Sequence, residues 1–149
     1  MATNISWYGL RLVKEKGARY DVNRKIACPK DVDRIAREVA EMDSLAEEVF
    51  NMITVNTKNE MTGLFTVSKG SLNASVVHPR EVFKRALLQN ASAIFLLHNH
   101  PSGNPKPSRE DKAITQRLAE AGVLLGIRVL DHVIIGRDKY FSFQEHGLL

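Results

Sequence analysis

The sequence predicts an α/β domain with a mixed sheet covered by helices. Three observations carry that expectation. Helical and strand-like periodicities alternate along 149 residues, a length suited to one domain. Ser92–Leu97, centred on Ile94, Phe95, Leu96 and Leu97, is a continuous apolar run with the look of a central buried strand. Composition is that of a globular protein, 44% hydrophobic and 26% charged.

The elements follow in order. Residues 5–14 read as a strand, and a second short one spans Arg24–Cys28. Residues 1–30 thus look like an N-terminal strand extension packed on a core of residues 31–149. Pro29 precedes a helix capped near Asp31, whose apolar positions Val32, Ile35, Val39, Met42 and Ala46 recur at steps of three and four. Strands at Val49–Asn56 and Gly63–Val67 flank a turn-prone Thr57–Glu60 stretch. A helix starts at Pro79, where proline suits the first turn, and runs to about Asn90. After the Ser92–Leu97 strand comes a Pro/Gly loop, then a helix from Ser108 with Gly122 at its end. Strands near Gly126–Ile135 and Tyr140–Phe143 close the chain around a turn at Arg137, Asp138 and Lys139.

Charge and cysteine content exclude several classes. Cys28 is the only cysteine, so an internal disulfide and a cysteine-based zinc finger are both ruled out, and it reads as a small filler residue. No apolar run approaches the roughly 20 residues needed to cross a bilayer. Met1–Tyr8 lacks the basic start and apolar stretch of a signal peptide, so the expected location is cytoplasmic, with no membrane partner. The net charge is +4, and residues 1–37 hold nine Lys/Arg against four Asp/Glu. Such a segment reads first as solvated surface; it could also touch an acidic partner or a nucleic-acid backbone.

The chemistry concentrates between His98 and Asp111. His98 and His100, at i and i+2, project to one side of an extended chain at the C-terminal end of the apolar strand, where open α/β sheets place ligand sites. Asp111 returns in the first turn of the next helix. Imidazole nitrogens and a carboxylate suit zinc, and three protein ligands leave a fourth position open, as in catalytic sites. Ser108 and Asp111 equally fit a plain helix start, with a serine N-cap and an acid in the first turn.

His98-x-His100-Pro101 followed by Ser108-x-x-Asp111 resembles the JAMM (MPN-plus) metalloprotease motif. His78-Pro79-Arg80-Glu81, His98 to Gly103, Pro107 to Asp111, and Asp131-His132 to Gly136 are similar to the RadC-like JAB-domain branch. The likeness covers roughly residues 46–149. It implies the JAB/MPN fold, a cytidine-deaminase-like α/β/α sandwich. It also implies a zinc hydrolase that cuts peptide or isopeptide bonds, with His98, His100 and Asp111 holding Zn2+. Glu48 would be the base that accepts a proton from water and delivers it to the leaving amine. Glu47 is its neighbour, and sequence alone does not separate the two. By the same resemblance Ser108 donates a hydrogen bond to the water or to the developing oxyanion.

The remaining histidines read differently. His132 reads as structural or as orienting a ligand from behind, His78 as a helix-start residue, and His146 as surface. Asn99, between the two ligands, faces away and is expected to pack or hydrogen-bond. The substrate would be a peptide or protein. RadC-like proteins carry a DNA-repair label, so a role beside nucleic acid or mobile elements is the alternative, although no helix-hairpin-helix segment is found here. The sequence is compatible with a homo-oligomer and carries no signal that decides it.

Overall fold

The computed structural model describes residues 1–70 and 77–149. Its first helix, α1 (Pro29–Glu38), starts at Cys28, whose side chain and the Asp31 carboxylate form a reciprocal capping box. Cys28 is exposed there, a capping residue and not core filler. The helical periodicity continues in sequence, but Glu41 adopts a left-handed conformation (φ 52°) and starts a 3-10 turn, Met42–Ser44. Met42 still reaches the core.

Five strands follow: β1 (Val49–Val55), β2 (Met61–Lys69), β3 (Ala93–Asn99), β4 (Arg128–Ile135) and β5 (Tyr140–Ser142). They interleave with α2 (Pro79–Leu88) and α3 (Arg109–Leu125). The sheet order is β2-β1-β3-β4-β5. β3 pairs antiparallel with β1 and parallel with β4, and α3 supplies the connection that a parallel pair requires. Every residue of β1 and β3 is buried, which is why these strands read as apolar runs rather than alternations.

The two faces of the sheet carry separate cores. Ile53, Val55, Phe95, Leu97, Val133 and Ile135 pack against Val32, Ile35 and Ala36 of α1. Phe50, Met52, Ile94, Leu96 and Val129 pack against Val82, Phe83 and Ala86 of α2 and Ile114 and Leu118 of α3. The result is the expected α/β/α sandwich around a mixed sheet. In β4, Ile94 pairs with Val129 but Phe95 with Asp131, so Leu130 is an extra residue. That bulge reverses the facing of everything after it and turns His132 toward α3.

Several expectations are corrected. Residues 1–20 form no helix or strand, and Ile5, Trp7, Tyr8, Leu10 and Val13 are exposed. Strand-like alternation is not enough without a ladder to join. The Arg24–Cys28 strand reduces to one isolated antiparallel bridge, Lys25 to Glu60, the residue just before β2. β3 extends through Asn99, so His98 lies inside the strand rather than after it. Gly122 does not end α3, which continues to Leu125 and stops at Gly126 in a left-handed conformation (φ 71°). Gly122 is instead a close-packing position, where a β-carbon would run into the Ile127 carbonyl oxygen.

Candidate metal centre

The facing of β3 sets the site. His98 shares the α3 face with Leu96, whereas Asn99 points to the α1 side. His100 follows at the strand end, its amide held by the Ile135 carbonyl at 3.0 Å. The loop after it is braced on the end of β4, with Arg137 N donating to Gly103 O at 3.0 Å. α3 then returns Asp111. Ser108 N-caps α3 by accepting from Asp111 N at 3.0 Å, while Ser108 N donates to Asp111 Oδ2 at 2.8 Å. The helix-start reading of this pair is therefore correct, and it also fixes the Asp111 carboxylate.

Donors and acceptors can be assigned outward from one hydroxyl. Thr115 Oγ1 donates its single proton to the Asp111 carbonyl at 2.6 Å, so at its 2.6 Å contact with His132 Nδ1 it accepts. Neutral His132 is then protonated on Nδ1, and its Nε2 accepts from His98 Nδ1 at 2.7 Å. His98 is left with a bare lone pair on Nε2. His100 Nδ1 donates to the Asn104 carbonyl at 2.8 Å, which frees its Nε2 in the same way.

The two Nε2 atoms stand 3.0 Å apart, and Asp111 Oδ1 and Oδ2 lie 3.2 and 3.1 Å from His98 and His100. Three acceptors thus converge with no donor between them, an arrangement that a cation satisfies. Ligands about 2.1 Å from a tetrahedral ion stand about 3.4 Å from each other, close to the separations here. These residues form a group that could hold a metal ion.

Electrostatics agree. Burial pushes His98 down and His132 well down from the ordinary imidazole range, keeping both neutral. Burial opposes charge on His100 too, but Asp111 and the Asn104 carbonyl outweigh it and raise that pKa. Burial also opposes charge on Asp111, yet the adjoining His100 and His98 imidazoles, with the Ser108 backbone N–H, hold it well below the usual carboxylate range. Phe50 stacks on His98 at 5.9 Å and Phe143 on His132 at 4.8 Å, so both rings are fixed.

A cleft of about 350 Å³ opens over the group, lined by Glu48, His100, Pro101, Ser102, Ser108, Glu110 and Asp111. Glu48 is in the cleft and its charge acts on both His98 and His100. Glu47 is exposed and does not line it. His78 N-caps α2 through Nδ1, and His146 is exposed against Phe141, both outside the site. Sequence reasoning missed Thr115, although its position four residues after Asp111 places it on the same helix face.

A model of the RadC-like JAB domain matches residues 26–148. The chain belongs to this family. Similar relatives are UPF0758 proteins of Alkaliphilus oremlandii, 54% identical over 85% of this chain and 54% of theirs, and of Clostridium beijerinckii, 50% identical over 84% and 54%. One from Moorella thermoacetica is 47% identical over 95% of this chain and 65% of its own. The chain spans about half the length of the first two relatives. The JAB superfamily includes metallohydrolases, and this RadC-like domain carries the His-His-Asp group. Among the described residues, no helix is long and apolar enough to cross a membrane.

Proposed function

We propose that this RadC-like domain is a zinc-dependent hydrolase cleaving peptide or isopeptide bonds. His98, His100 and Asp111 are its ligands, Glu48 its general base, and Ser108 its oxyanion donor. The working unit is residues 31–149, with 1–30 appended. The observation that carries the reading is the convergence of three acceptor atoms on the floor of the cleft that Glu48 and Ser108 line. Two imidazoles and one carboxylate form a donor set that catalytic zinc accepts with a fourth position left open.

When bound, the ion supplies Lewis-acid activation of water and polarises the scissile carbonyl. Glu48 accepts the proton that the attacking water loses and returns it to the leaving nitrogen. Ser108 Oγ accepts from Asp111 N through a lone pair, so its own proton remains to be donated to the oxygen that gains charge. Capping and catalysis therefore coexist at Ser108. His132 and Thr115 hold the His98 tautomer and touch no substrate.

The test has two arms. Zinc content of wild type, His98→Ala and Asp111→Ala examines the ligands, and unchanged metal in both variants defeats the assignment. Wild type and Glu48→Gln are then incubated with peptide-linked and isopeptide-linked libraries. Cleavage falling by about 10²–10⁴-fold at unchanged zinc content supports Glu48 as base; equal cleavage removes it. The second reading is contact with nucleic acid through the exposed basic residues Arg11, Lys14, Lys16 and Arg19. It expects a duplex or single-strand gel shift that weakens steeply with salt.

A further inference from the structure

Asn99 lies between His98 and His100 in sequence, faces the other side of the sheet, and is 2% exposed. Its partners show why an amide stands there. β1 and β3 pair backbone to backbone as far as Phe50 opposite His98. One further step would set Val49 opposite Asn99, and there the chains diverge, because the His100 amide turns to Ile135 of β4. The Asn99 side chain spans the gap. Its Oδ1 accepts from Val49 N at 2.8 Å, and its Nδ2 donates to the Glu47 carbonyl at 3.0 Å.

A primary amide offers one acceptor and a donor, as a peptide group does, so Asn99 acts as a rung where the backbone ladder has ended. Glu48 sits between the two peptide groups that it holds. The Glu48 carbonyl is itself tied by Gly70 N at 2.8 Å. Residues 47, 48 and 49 therefore each have a backbone group fixed, and two of the three bonds come from one side chain.

We propose that Asn99 is the positioning residue for Glu48, setting how far its carboxylate stands from the point on which His98 and His100 converge. One tripeptide then carries two ligands toward α3 and, on its reverse face, the clamp that holds the base. The functional weight of this rests on Glu48 being the base, as proposed above; the clamp does not. An aspartate at position 99 would keep the acceptor for Val49 but set a carboxylate oxygen against the Glu47 carbonyl, so it breaks one bond of the two. Alanine breaks both.

The experiment uses the labelled 149-residue chain as wild type, Asn99→Asp and Asn99→Ala, with two readouts independent of activity. Amide exchange at Val49 should quicken by about tenfold in Asn99→Ala and stay near wild type in Asn99→Asp. In the Co2+-loaded protein, the paramagnetic shifts of the Glu48 side chain should move in both variants, while those of His132 and Thr115 stay in place. Zinc stoichiometry should be unchanged in all three. Wild-type Val49 exchange in Asn99→Ala overturns the clamp. Unmoved Glu48 shifts, or loss of metal in the variants, overturn the positioning role. If wild type cleaves nothing, the hydrolase reading fails while exchange and cobalt shifts still decide Asn99. If wild type binds no cobalt, the ligand reading fails and Val49 exchange decides alone. Asn99→Asp, nearly isosteric, keeps the test usable if the alanine variant does not fold.

Discussion

Replacing His132 by leucine removes the acceptor that takes the His98 Nδ1 proton at 2.7 Å, with little change in bulk. Metal-free protein can respond: His98 can shift its proton to Nε2 and donate to Asp111 Oδ1, 3.2 Å away. The metal-holding form cannot, because Nε2 must keep its lone pair and Nδ1–H is then buried without a partner. The cost therefore falls on the bound state and is read as affinity. An unsatisfied buried donor costs about 1–3 kcal/mol, which corresponds to zinc binding about 5- to 140-fold weaker. Loss of a group behind a metal ligand commonly costs about 10–100-fold, within that range. The assay is zinc competition against a chelator at neutral pH, with thermal unfolding of the metal-free form as a fold control. Thr115→Val should act in the same direction, because it removes the acceptor that fixes the His132 proton on Nδ1. Thr115→Ser should restore wild-type affinity. A folded His132→Leu variant that binds zinc as tightly as wild type would refute the chain of tautomers.

Ser108→Ala should cost about 1 kcal/mol in denaturant unfolding through loss of the α3 cap, and should lower any cleavage rate at unchanged zinc content. Burial raises the Asp131 pKa above the usual carboxylate value, partly offset by bonds from Ser142, Gln144 and His132. The folded state then binds this proton more tightly than the unfolded one. Its stabilising share is full below the unfolded pKa, about 4, and is lost as pH rises through the folded value. Asp131→Asn cannot ionise, so its stability relative to wild type should improve between pH 4 and 7, measured by denaturant titration at each pH. Gly122→Ala should destabilise by about 1–3 kcal/mol through overpacking against Ile127, although alanine is the better helix former by about 1 kcal/mol; a rise in unfolding midpoint would contradict the packing role.

The buried strands and capped helices were legible because each carries its own signal: Ala93–Asn99 as an apolar run, Pro79 and Ser108 as helix starts. The His-His-Asp group was legible because its members lie close in sequence. His132 was ambiguous for a definite reason. Counting alternate residues from Val129 puts it on the α1 side, and only the extra residue at Leu130 turns it toward His98. The two carboxylates at 47 and 48 differ only in which way the chain faces as it enters β1, a fact set by Asn99 fifty residues on. The strand expected over 5–14 had the right alternation, but no sequence pattern states whether an edge is there to receive it.

The ligands and the side chains that hydrogen-bond to them lie within the strand–helix–strand stretch from Ala93 to Ile135, whereas Glu48 reaches the cleft at the start of the hairpin made by β1 and β2. That hairpin occupies one margin of the sheet. Fraying of the chain where it enters β1 therefore moves the Glu48 carboxylate before it reaches Phe50 and, through it, the His98 ring. On the proposed hydrolase reading, mild denaturant should reveal a window in which the ion is still held and turnover is already lost.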